Sequence, residues 1–248
     1  MNNFDYEESR KRIEGILNSK TDIEEVNSIS NDEDAFTYEN GVRTWIGAMF
    51  IDIRNSTNYF KENNPEKIAR IMRAFTSEII EILRQNKKYV QIGIRGDCVY
   101  AIYSTPTRKD LKTIMDDACF INTFQEMFQT ILTRKGWPTF EIGIGLGASK
   151  DLVIKAGRKG TGINDNIWIG DAVIDASKLS NEGNTNGIDP IVMDYCFYNN
   201  IKDFNANKNL KNSDYVNQVW SSKLNEYVYC CNMIIIDFDN WIKDRFGY

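Results

Sequence analysis

Trp45-Ile46-Gly47-Ala48-Met49-Phe50-Ile51-Asp52-Ile53-Arg54-Asn55-Ser56-Thr57 is the stretch on which the reading of this chain turns. Its apolar run, Ile46 to Ile51, is short, holds β-branched and aromatic residues and starts from polar sequence, which predicts a buried strand. The run ends on an acid. Asp52 is expected at the carboxyl end of that strand, the edge where open α/β sheets bind ligands. Asn55, Ser56 and Thr57 then offer N-cap side chains for a helix, whose unpaired N–H groups favour an anion such as phosphate. A carboxylate beside a phosphate-sized anion hole suggests a divalent cation carrying a polyphosphate. The competing reading is an Asp that only caps a helix.

Composition narrows the chemistry. The chain has 248 residues, 42% of them hydrophobic, and a formal charge of −5. That length suits one large domain or two small ones, and the mild acidity argues against non-specific binding to nucleic acid or a membrane surface. No apolar run reaches the roughly 18 residues of a membrane span, and the amino terminus is polar, so neither a transmembrane helix nor a signal peptide is expected and the setting reads as cytoplasmic. Histidine is absent, which removes Ser-His-Asp and Cys-His catalysis and His-ligated zinc or iron. The five cysteines show no CxxC spacing and lie mostly in apolar sequence, as reduced, buried thiols do.

Outward from Asp52, residues 5 to 28 carry Ile13, Ile16, Leu17, Ile23 and Val26 and read as one helix, with a break allowed at 19–21, followed by a linker over 30–42. Residues 1–42 are accordingly set apart from a catalytic domain at 43–248. Pro65 opens a helix to about Asn86, with Ile68, Ile71, Met72, Phe75, Ile79, Ile80, Ile82 and Leu83 at helical spacing. Two alternating runs, 89–95 and 98–103, flank Gly96-Asp97 as a β-hairpin. A second long helix covers 108–135. Gly143, Gly145 and Gly147 then strip one face of a strand, as where a backbone or ligand must come close. Asn166 to Leu179 reads as a strand feeding a helix through Gly170-Asp171, and strands are expected at 190–193, 214–220 and 226–237, with a last helical turn at Trp241-Ile242. The order is an α+β, ferredoxin-like βαββαβ unit with added carboxyl-terminal strands.

In such a sheet the first strand and the following hairpin are neighbours, so Asp52 and Asp97 can meet. Two adjacent carboxylates repel unless a cation lies between them, and oxygen ligands select Mg²⁺ or Mn²⁺. Phe50-Ile51-Asp52-Ile53-Arg54-Asn55-Ser56-Thr57, the Gly96-Asp97 turn, Ile142-Gly143-Ile144-Gly145-Leu146-Gly147 and Ile169-Gly170-Asp171-Ala172-Val173-Ile174-Asp175-Ala176-Ser177-Lys178-Leu179 together resemble the motifs of class III nucleotidyl cyclases, in order and spacing. The stretches around Asp52 and Asp97 look most like the bacterial anti-phage pyrimidine (Pycsar) cyclases.

The resemblance implies a homodimer with sites at the interface, two Mn²⁺ or Mg²⁺ ions on Asp52, Asp97 and the Ile53 backbone, and a phosphate cradle from Ile53 through Asn55, Ser56 and Thr57. It implies that a ribose 3′-hydroxyl attacks the α-phosphorus of UTP or CTP, pyrophosphate leaves, and the cyclic nucleotide activates a separate effector protein. The family's purine-reading positions are Gly93 and Ile167 here, which removes the contacts that tell purines apart. The family's transition-state Asn and Arg are Ile174 and Lys178; Lys keeps the charge without the guanidinium fork. Arg95 is a candidate for a pyrimidine carbonyl or a phosphate, and Phe50 and Trp168 for stacking on or walling the base. An Arg donor suits uracil, so UTP to cyclic UMP is the first reading. CTP, an unorthodox adenylyl cyclase and a weakly catalytic nucleotide sensor stay open.

Overall fold

The structure is a computed structural model, and it describes residues 4–29, 36–158, 161–205 and 211–247. The strand expected at Ile46–Ile51 is the middle of a longer one, β2 (Asn40–Ile53). It lies between two antiparallel partners, β4 (Cys98–Ser104) and β5 (Ile142–Arg158). β3 (Tyr89–Arg95) joins β4 through the Gly96-Asp97 turn, with Gly96 at φ 66°. Helices α2 (Ser56–Glu62) and α3 (Pro65–Gln85) link β2 to β3, and α4 (Arg108–Arg134) links β4 to β5. The sheet order β3-β4-β2-β5 is that of the split βαββαβ unit.

Alternation along β2 divides the core. Met49, Ile51 and Ile53 face the buried stripe of α3, Ile71, Phe75, Ile79 and Leu83, together with α4. Phe75, Phe124, Phe128 and Phe140 pack ring on ring at 5.2 to 6.3 Å. On the opposite face, Ile46, Ala48 and Phe50 meet Ala172 and Ala176 of α5 (Asp171–Ser180). The glycine-spaced strand admits a backbone, not a ligand. A Cβ at Gly145 would lie 2.9 Å from the Leu179 carbonyl carbon and closer still to Ala176 O and Ser180 N, so α5 rests directly on β5.

The strand that carries the spaced glycines runs on as one long element, β5, to Arg158, and β6 (Ile163–Ile169) folds back along its far half. Beyond β5 the sheet continues through β7 (Ile191–Met193), β9 (Glu226–Cys231) and β8 (Asn217–Ser221), with α6 (Tyr195–Ile201) after β7.

Three expectations change at the ends of the chain. Residues 5 to 28 are not one helix: α1 (Tyr6–Leu17) stops at Asn18, and β1 (Asp22–Glu25) pairs in parallel with Asn40–Arg43 of β2. None of α1 is buried, and Ile13, Ile16, Leu17 and Ile23 are exposed. The pairing of β1 and β5 with 40–42 makes that end of the expected linker strand; residues 30–35 of it lie outside the described residues. At the other end β9 stops at Cys231, and Ile236 begins α7 (Ile236–Phe246), whose first turn carries Asp237 and Asp239. Acids in a first turn favour a helix through its dipole, which outweighs the β propensity of the Ile run. Among the described residues no helix is long and apolar enough to cross a membrane, and all five cysteines are free thiols.

Candidate functional site

β2 and the β3–β4 turn bring the two acids to one end of the sheet. Ile51 pairs with Val99 across the strands, so Asp52 comes level with Cys98 and the Asp97 turn beside it. Burial pushes the Asp52 carboxyl above its ordinary pKa; Arg54 and Lys223 pull it back, and the neighbouring charge of Asp97 adds to the rise. The Asp97 Oδ2 atom is buried with no hydrogen-bond partner. An orphaned buried carboxylate oxygen is costly, which is the situation a cation resolves.

Sequence reasoning missed the local counter-charges. Arg54 forms an ion pair with Asp52 and is itself largely buried. Further off, Lys223 lies 3.2 Å from Glu182 Oε1, and the buried Glu182 accepts a 2.5 Å hydrogen bond from the Ser221 hydroxyl. The spacing of Arg54 from Asp52 was a visible signal. Glu182 and Lys223 sit more than 100 residues along the chain and gave none. Cys98, between the acids, has its thiol pushed up to about 12, chiefly by burial and then by Asp52, so it stays protonated and is poorly suited to thiolate ligation.

After Ile53, the last residue of β2, Asn55 adopts a left-handed conformation at φ 53° and opens α2 with no side-chain cap hydrogen bond. Its amide oxygen instead accepts from Asn58 Nδ2 at 2.9 Å. Ser56 and Thr57 begin the helix, so the expected run from Ile53 to Thr57 is a continuous backbone turn next to Asp52.

The remaining candidates lie on the face of the sheet that Asp52 shares. Phe50 pairs with Tyr100, and Tyr100 with Gly93, in one row across three strands. Phe50 is buried and its ring stacks on Tyr100 at 5.2 Å. Arg95 is exposed at the end of β3. Trp168, half-buried, donates from Nε1 to Gln91 Oε1 at 2.7 Å. Lys178 is not brought to the acids. It is exposed, 3.8 Å from Asp175 on its own helix, and it is absent from the charges that act on Asp52. Ile174, at the family's Asn position, is exposed beside it.

Among the described residues no three His, Cys, Asp or Glu side chains cluster as a metal cage. A pair of carboxylates fits instead the way Mg²⁺ is held, by one or two acids, water and the phosphates of a substrate.

The profile of the adenylate and guanylate cyclase catalytic domain matches residues 42–189. The chain is also 41% identical, over 240 residues, to a uridylate cyclase of Treponema porcinum, covering 97% of this chain and 81% of that one. The chain belongs to the class III nucleotidyl cyclases. A second uridylate cyclase, from Gulbenkiania mobilis, is 36% identical over 71% of this chain and 70% of its own. The fold is also that of the solved adenylyl cyclase CyaB from P. aeruginosa, at TM-score 0.62 and 19% identity, over 77% of this chain and 95% of that one. Class III cyclase domains act on nucleoside triphosphates, depend on divalent metal and commonly dimerise. In this cyclase the expected metal acids are the pair at the end of β2 and in the β3–β4 turn, and Gly93, expected at the base-reading position, pairs across the hairpin with Tyr100.

Proposed function

We propose that this cyclase converts UTP to 3′,5′-cyclic UMP and pyrophosphate. The observation that carries the chemistry is the buried, partnerless Asp97 oxygen beside Asp52. The choice of base is supported by the likeness to two uridylate cyclases and by the loss of purine contacts at Gly93 and Ile167.

Asp52, Asp97 and the Ile53 backbone would hold Mn²⁺ or Mg²⁺. When bound, such ions supply charge neutralisation for attack of the ribose 3′-hydroxyl on the α-phosphorus and for departure of pyrophosphate. The backbone of 53–57 receives the β- and γ-phosphates. Arg54, already against Asp52, offsets charge at the acid pair. Lys178, remote from the acids of its own chain, acts from a second copy across a homodimer interface. Arg95 steadies the base or a phosphate, and Phe50 and Trp168 line the base side of the cleft. The cyclic nucleotide is then a signal for a separate effector protein, in the manner of an anti-phage response, inside the cell.

Purified protein with Mn²⁺ and UTP is expected to release cyclic UMP and pyrophosphate in equal amounts, and Asp97→Ala to release neither. Equal rates with all four nucleoside triphosphates, or product from Asp97→Ala, would overturn the reading.

A further inference from the structure

Gly93 stands where the family reads a purine, and the structure shows what occupies the space above it. A Cβ at position 93 would fall into the Tyr100 ring, 2.6 Å from Cε1 and nearer still to Cζ and the hydroxyl oxygen. No side chain can stand there while Tyr100 keeps this position. Phe50 holds it from the other side, the two rings lying within 15° of parallel. The row lies two strand residues from Asp52 on the same face, about 7 Å along β2.

Hydrogen bonds fix the hydroxyl as well. Trp168 Nε1 has only a hydrogen to give, so the Gln91 atom it meets at 2.7 Å is the amide oxygen. The Gln91 Nε2 group therefore faces the other way, donating to the Tyr100 hydroxyl at 3.2 Å and to Asp165 Oδ1 at 3.3 Å. Both amide hydrogens are used. A phenol oxygen has one lone pair and one hydrogen near the ring plane. With Gln91 donating to it, the hydroxyl keeps its own hydrogen to give, and no hydrogen bond donated by it occurs among the described residues.

We propose that Tyr100 is the base-selecting residue of this cyclase: its ring closes the space a purine's second ring would need, and its hydroxyl hydrogen is donated to the C4 carbonyl of uracil. Cytosine presents an amino group at that position and meets a donor with a donor. The inference rests on the cyclase reading, in which the Gly93 row faces the base, and it makes Gln91 and Trp168 positioning residues that orient the Tyr100 hydroxyl.

The test measures binding and turnover separately. Binding uses 3′-deoxy-UTP, 3′-deoxy-CTP and 3′-deoxy-ATP, which lack the attacking hydroxyl; turnover uses UTP, CTP and ATP. Tyr100→Phe keeps the stack on Phe50 and loses the donor. Its preference for uracil over cytosine should fall about tenfold, the worth of one hydrogen bond, with adenine still excluded. Tyr100→Leu opens the subsite, and adenine binding relative to uracil should rise by at least about tenfold. Gln91→Leu should mimic Tyr100→Phe in base preference without admitting adenine. Wild-type base ratios retained in both Tyr100 variants would overturn the proposal. A wild-type protein that binds 3′-deoxy-UTP selectively but turns over no nucleotide would instead sink the cyclase reading and leave base selection by Tyr100 standing.

Discussion

Replacing Asp97 by Asn should stabilise the metal-free protein while abolishing its activity. The Asp97 Oδ2 atom is buried without a partner, and its charge is one of the causes that raise the Asp52 carboxyl. An amide of the same shape removes the repulsion and brings hydrogens that can meet the Asp52 oxygens. Relief of one unsatisfied buried charge is worth about 1–2 kcal/mol after the screening that Arg54 already provides. For a chain of this size each kcal/mol moves the melting temperature by about 2–4 °C, so Asp97→Asn should melt roughly 2–8 °C above wild type in EDTA. Millimolar Mn²⁺ reverses the order. An ion present at a hundred times its Kd stabilises the wild type by about 2.7 kcal/mol, and the variant gains little of this. Differential scanning fluorimetry with and without Mn²⁺ reads both effects in one plate, and cyclase turnover should fall at least about a hundredfold. A variant that melts below wild type in EDTA, or gains as much from Mn²⁺, would refute the reasoning.

Gly145→Ala should destabilise the fold by about 3 kcal/mol in urea, because its methyl would lie 2.9 Å from the Leu179 carbonyl carbon and lift α5 from β5; a loss under about 1 kcal/mol would mean that α5 is not seated as described. Burial raises the Asp117 carboxyl from 3.8 to about 7, against the 2.8 Å hydrogen bond from Asn86. The folded form therefore keeps a proton that the unfolded chain has released. Stability falls as pH rises through that window and levels off above about 7, by on the order of 4 kcal/mol at most. Asp117→Asn, followed by urea unfolding from pH 5 to 8, should flatten the fall. Arg54→Met removes the cation that neutralises Asp52, so it should lower the metal-free melting temperature and tighten Mn²⁺ binding about tenfold by EPR titration; unchanged Mn²⁺ affinity would count against competition between Arg54 and the ion.

The centre of the fold was legible because its signals are local. The apolar run ending at Asp52, the Gly96-Asp97 turn, the two long helical stripes and the alternating glycines each dictate their element within a dozen residues. The acid pair followed from topology, since a βαββαβ order makes β2 and β4 neighbours. What escaped was set by partners distant in the chain. β1 is a strand only because the edge of β2 offers it hydrogen bonds, and Lys223, itself paired with Glu182, acts on Asp52 from the last third of the sequence. Tyr100 read as an ordinary strand aromatic. Its meaning rests on Gly93, seven residues away and directly across the hairpin. Lys178 was read from its motif as a transition-state cation of an interfacial site, and within one chain it lies 3.8 Å from Asp175 on its own helix.

Incubating the protein with Mn²⁺ and ATP, GTP, UTP or CTP separately, with Asp97→Ala beside it, and identifying the products by mass decides between uridylate cyclisation and the other activities. Cyclic UMP from UTP, far in excess of any other cyclic product, is expected from the wild type and nothing from the variant. A purine product at comparable rate, or no product from any of the four, would contradict uridylate cyclisation.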